Sequence, residues 1–276
     1  MMSYLKLTNF ELSRFFKMYL VLIGITLVMQ TLSVVWTANN YLGEINEQLS
    51  SGSTVEEAIN GWGLFSFDFI TRGFWFSAPI LLCIASLLIY VFFIWYRDWL
   101  GKNTFAYRLF MLPTARLNVF LAKATAIFLM VLGLISIQLV FLTIENELMK
   151  MIVPNTFRED LTINEIINGF DYLRVLYPVS FIQFFINYGI GFMAVIVVFT
   201  GILFERSFRW KGIILGVLFS GIALIVFFLP ILLHETILNH FFYPTELFIL
   251  MLISGLIVIA GSIWMSNYLL NKKIRV

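Results

Sequence analysis

Six apolar stretches, each long enough to cross a bilayer, leave this chain few ways to fold. They cover residues 18–36, 74–95, 118–142, 178–204, 212–232 and 246–268. A hydrocarbon core of ~30 Å needs about 20 helical residues at 1.5 Å each. Backbone exposed to lipid must satisfy its own hydrogen bonds, and runs this long and uniformly apolar are not barrel strands. The expected fold class is therefore all-α: a polytopic membrane protein of six transmembrane helices, with residues 1–276 forming a single transmembrane domain. Composition agrees, with 61% hydrophobic and 12% charged residues and a mean hydropathy of +0.93. Soluble domains carry roughly twice that share of charge.

The distribution of charge sets the expected orientation. If the N-terminus lies inside, only Arg72, Lys150, Arg158 and Arg174 of the 18 Lys and Arg fall outside. The acids sort the other way, with only Glu11, Asp98 and Glu205 of 16 inside. The positive-inside rule thus favours N-in, C-in. The first apolar run is longer than a signal-peptide core, and no small-residue cleavage pattern follows it, so it is expected to stay as an anchor.

Residues 1–17 are expected to form an amphipathic interfacial helix. Leu12, Phe15, Phe16 and Tyr19 would make its apolar stripe, and Thr8 with Glu11 a capping box. The alternative is that this segment simply extends the first span. In the outer loops, Ser53 with Glu56 and Thr162 with Glu165 signal short helices, either plain surface helices or a lid over an outward exit. Between spans five and six, Pro230 and Pro244 bracket an apolar segment that reads as re-entrant or interfacial helices. Gly212, Gly216 and Ser220 form a small-residue seam suited to close helix packing, within the chain or against another subunit.

Enzymatic constellations are missing from the sequence. His234-Glu235 opens like a zinc-binding H-E-x-x-H, but the next histidine is His240, on a different helix face. Glu56 and Glu57 lie in a polar loop, and no G-x-S-x-G motif occurs. Gly101-Lys102 lacks the rest of a phosphate loop, so the chain is expected to hydrolyse no ATP and to hold no cofactor or metal. Cys83 reads as a packed thiol. No ionisable residue falls near a span centre, Lys123 being placed to snorkel from a cytoplasmic end and Glu145 and Glu147 marking the outer end of span three. The neutral polar residues Gln30, Gln138, Gln183 and Asn187 would glue helices or line a translocation path.

Between spans two and three lies YRDWLGKNTFAYRLFMLPTAR, residues 96–116, with four cations against one acid. Its Phe110-Met111-Leu112-Pro113-Thr114-Ala115-Arg116 run resembles the LP-x-[ST]-R region of bacterial type-2 ABC transporter permeases, although Ala115 displaces the hydroxyl by one place. The basic N-terminal helix, the six spans and the apolar break between spans five and six are similar too. The resemblance implies a bacterial, multi-pass plasma-membrane permease subunit of an ATP-driven exporter. It would pair with itself or a sister permease, and separate cytoplasmic ATPase subunits would carry ATP-Mg. The cargo would be hydrophobic or amphipathic: a peptide, lipid or drug. Residues 104–112 would be the coupling helix, with Thr104 as N-cap. Tyr107, Arg108, Met111, Leu112 and Arg116 would dock the ATPase, and Pro113 would end the helix. Lipid headgroups are the simpler partner for those cations. No nucleic-acid partner is expected. A membrane enzyme and an ATPase-independent carrier or accessory subunit are the alternative readings.

Overall fold

The computed structural model describes residues 2–99, 105–236 and 241–274. The chain is an all-α polytopic membrane protein. Its helices are α1 (Met2–Ser50), α2 (Val55–Trp62), α3 (Phe67–Thr71), α4 (Phe74–Trp99), α5 (Phe105–Phe110) and α6 (Arg116–Ile152). They continue with α7 (Ile163–Gly169), α8 (Asp171–Leu176), α9 (Phe181–Phe208), α10 (Trp210–Thr236) and α11 (Pro244–Tyr268). Six of them, α1, α4, α6, α9, α10 and α11, are long and apolar enough to span a membrane. Among the described residues the only extended pairing is an isolated bridge between Phe65 and Arg158.

Several helices overshoot the expected spans. The 37 residues of α6 reach about 55 Å. The N-terminal segment is no separate interfacial helix: α1 runs unbroken for 49 residues, as the alternative reading has it. Its buried positions are Leu7, Thr8, Glu11, Phe15, Leu22, Thr26, Gln30, Ser33, Val34, Ala38, Tyr41 and Ile45. These recur at helical spacing over the whole length, whereas Phe16, expected on the apolar stripe, is 54% exposed. The capping box expected at Thr8 is absent because the helix continues through it. The Thr8 hydroxyl donates to the Tyr4 carbonyl instead.

The chain divides into two compact units. One comprises residues 14–86 and 130–184. Its core draws Val34, Ala38, Tyr41 and Ile45 from α1 and Leu142 and Met149 from α6, joined by Ala58, Phe65, Phe67, Ile70, Ile166, Ile167 and Leu173 from the two expected outer loops. Those loops are folded rather than loose. The Phe65 N–H donates to the Phe157 carbonyl at 2.8 Å, and the Glu159 N–H to the Phe65 carbonyl at 2.9 Å. Both predicted short helices exist. The box at Thr162–Glu165 opens α7 as expected, while the first lies one residue later than expected, at Thr54–Glu57, and Gly63 ends α2.

The other unit comprises residues 1–13, 87–129 and 185–276. Here the small-residue seam packs within the chain. A Cβ added to Gly216 would lie 2.9 Å from the Gly201 carbonyl oxygen, so α9 and α10 touch backbone to backbone. On α11, Ser254, Val258, Ser262 and Ser266 form a buried stripe at four-residue spacing. Ser254 donates to the Phe227 carbonyl at 3.1 Å, and Thr200 pairs with Ser266 at 3.0 Å. Pro230 does not break α10. It lies buried inside the helix, apolar sequence continuing on both sides, so no separate re-entrant helix precedes Thr236. Residues 237–240 lie outside the described residues. Pro244 takes the first turn of α11, where its missing N–H costs nothing, and the Phe242 N–H donates to His234 Nδ1 at 3.3 Å.

Candidate functional site

In the unit that holds α5, the most concentrated chemistry is a buried ion cluster. Lys123 on α6 is 1% exposed, and its ammonium donates to three oxygens: Glu11 Oε1 at 2.6 Å, Asp98 Oδ2 at 2.5 Å and the Ile94 carbonyl at 3.2 Å. Arg97 reaches the other Glu11 oxygen at 3.1 Å. Glu11 and Asp98 are themselves buried, so two carboxylates face two cations with no net charge. Lys123 also lies over the Trp95 ring, 5.4 Å from its centre.

The expectation that Lys123 snorkels is overturned. A lysine reaches for water only when nothing inside neutralises it; here all three of its N–H donors find acceptors. Glu11, Asp98 and Lys123 come from α1, α4 and α6, so the cluster fixes the register of three helices. Such a cluster contributes little net stability, because desolvation offsets attraction, but removing one member strands a buried charge.

Directly beyond Asp98 lies the basic hinge. Trp99 meets Tyr107 and Phe110 edge-on or tilted at 6.4 and 6.1 Å, and Phe10 stacks on Phe105 at 5.7 Å. The Tyr96 hydroxyl donates to Glu205, and Arg206 covers the Tyr96 and Trp99 rings at 4.9 and 5.6 Å. After α11 the helix widens into a π-turn over Leu269–Lys273. Arg116 caps that end, donating to the Leu270 and Ile274 carbonyls at 2.7 and 3.0 Å, and its guanidinium lies 5.8 Å from the centre of the Phe110 ring. Helix α5 therefore rests on a floor of rings from α1 and α4 and cations from α6 and α9.

Its outer surface is bare. Tyr107 is 41% exposed, Met111 73% and Leu112 41%, with Arg108 and Pro113 exposed beside them. The Met111 N–H still bonds the Tyr107 carbonyl, and the chain turns before Pro113 into α6. Thr104 lies outside the described residues. Arg116 is turned inward to the C-terminal carbonyls, away from the surface formed by Tyr107, Arg108 and Met111.

No protein-family model matches the chain, and no curated protein or solved structure is significantly similar to it.

The four polar span residues do not form one lane. Gln30 and Gln138 are buried in the unit of residues 14–86 and 130–184. Gln30 donates to the Phe76 carbonyl at 3.3 Å, while Gln183 is exposed near the start of α9, where its N–H bonds Ser180. Asn187, four residues on, belongs to the other unit. Cys83 is buried, with its sulfur 3.4 Å from the Thr26 hydroxyl. Among the described residues no three His, Cys, Asp or Glu side chains converge as metal ligands.

The ion cluster was partly readable. Glu11, Asp98 and Lys123 are charged residues near span ends, but nothing in their spacing says that they meet. The serine stripe of α11 was fully readable from its four-residue period.

Proposed function

We propose that this chain is the membrane-embedded permease subunit of an ATP-driven exporter, worked by a separate cytoplasmic ATPase that docks on α5. In this reading both ends of the chain and α5 face the cytoplasm, as the basic residues favour. The observation that carries it is the contrast within the hinge. Its inner face is pinned by Trp99, Phe105, Phe110 and Arg116, while Tyr107, Arg108, Met111 and Leu112 stand exposed on the other side. A large methionine and an aromatic ring flanked by a cation are the side chains that anchor protein interfaces. A docking helix must pass force on as well as bind, and the Glu11–Arg97–Asp98–Lys123 cluster ties its base to three long helices.

The test is co-purification of the chain with the ATPase encoded beside it, comparing wild type with Y107A/R108E. The variant should elute with unchanged thermal stability and lose the ATPase and ATP-dependent export. Retention of both at wild-type levels overturns the assignment of α5. An ATPase-independent carrier is the second reading, and the observation favouring it is the buried carboxyl group of Glu145, at odds with the expectation that it simply marks the outer end of a span.

A further inference from the structure

Glu145 is 1% exposed, and neither of its carboxyl oxygens has a hydrogen-bond partner. It stands on the buried stripe of α6 with Gln138, Leu142, Asn146 and Met149, within the unit of residues 14–86 and 130–184. Two contacts show that α1 and α6 run in the same direction: the Tyr19 hydroxyl donates to the Met130 carbonyl of α6 and the Tyr41 hydroxyl to the carbonyl of Phe157, five residues past the end of α6, both at 3.2 Å. Gln30 lies about 16 Å beyond Tyr19 along α1, which brings it level with the turn of α6 between Gln138 and Glu145. The Gln30 and Asn146 side-chain oxygens are also buried and unpartnered. The Gln138 side-chain N–H group, about two turns from Glu145 on the same stripe, is a buried donor without a partner, so unpartnered acceptors outnumber unpartnered donors here.

Other charged and titratable groups of this unit are engaged elsewhere or face out. Lys150 holds Glu147 at 2.8 Å, and Arg158 holds Asp160 and the Lys150 and Val153 carbonyls. Arg72 and Arg174 are exposed, as are Glu44 and Glu47. Tyr172, whose phenol burial pushes up to about 12, donates to the Thr71 carbonyl, and Tyr177 to the Ile135 carbonyl. Asp68 on α3 lies beside Gly169 with one oxygen unpartnered. Among the described residues no cation lies within salt-bridge reach of Glu145.

An ionised carboxylate there would bear its desolvation cost uncompensated. One proton removes the charge and turns an acceptor-only group into a donor among acceptors. We propose that Glu145 is a proton-binding site, occupied in the packed protein and emptied when water reaches that turn of α6. Loading forms one O–H bond on the carboxylate, and hydronium is converted to water; unloading is the reverse. A site of this kind gives the chain a coupling proton of its own, independent of any nucleotide cycle.

Infrared difference spectroscopy and thermal unfolding of the purified full chain in detergent test this. At neutral pH the wild type should show the carbonyl stretch of a protonated carboxyl, absent from E145Q. The unfolded chain ionises this group in the ordinary glutamate range, so above that range the unfolded state binds fewer protons, and stability should fall as pH rises and level off once the folded group ionises. E145Q should match the wild type at neutral pH and keep its unfolding temperature at alkaline pH. If E145Q does not fold, the wild-type band alone decides: it should disappear as pH rises, and the fall in stability should end where the band is lost. A wild-type spectrum with no protonated carboxyl, or stability that follows sodium concentration at fixed pH, overturns the proposal. No ATPase takes part, so failure here leaves the docking reading untouched.

Discussion

Lys123 shows how far one residue's environment can depart from its place in the sequence. Less than two turns into a span would be room enough to snorkel, but Glu11 and Asp98 arrive from positions 112 and 25 residues away to meet it. K123M should therefore destabilise the chain by about 3–5 kcal/mol, read as a lower unfolding temperature in detergent, because it removes the buried cation shared by two buried carboxylates. K123M/E11Q/D98N, which removes both charges as well, should recover most of that loss. If the single variant is as stable as wild type, the cluster is not buried as described. Glu145 differs in kind. Its position near the end of an apolar run was visible, yet only the packing of α1, α6 and the folded outer segments shows that no cation accompanies it.

At the scale of elements, local signals worked where the chain satisfies itself locally. The boxes Thr54–Glu57 and Thr162–Glu165 are each closed by a carboxylate accepting the N-cap N–H, at 2.8 and 2.7 Å. Those hydrogen bonds from the backbone, then from the threonine hydroxyl, hold the Glu57 and Glu165 carboxyls below their usual range. A depressed folded value means the cap's contribution is present above the ordinary glutamate range and lost as pH falls through the folded value. Amide exchange in α2 and α7 should accelerate selectively at acid pH, and E165Q should remove that pH dependence from α7. Uniform exchange across both helices at all pH values would contradict it. Pro230 went the other way. Proline argues for a break in water, but a continuous apolar helix packed on its neighbours keeps its course. The Gly216–Gly201 contact likewise needed the facing helix before its partner could be named.

For the molecule as a whole, the reading of orientation and of partner predicts a simple labelling pattern. Single cysteines in place of Arg108 and Lys273, on a Cys83→Ser background, should react with an impermeant maleimide from the cytoplasmic side only. Cysteines in place of Glu56 and Glu159 should react from the opposite side. Labelling of positions 108 and 56 from one side would overturn both the topology and the docking surface. Six apolar helices long enough to span, the all-α class and the Thr162–Glu165 cap were determined by the sequence alone. A bilayer offers the backbone no partner, so apolar length dictates helix, and a cap needs only residues three apart. Which charges are buried, which helix faces meet and which surface stays bare were decided by tertiary structure. Those depend on side chains brought together from segments far apart along the chain, where the compensation of a charge, or its absence, cannot be seen from either partner alone.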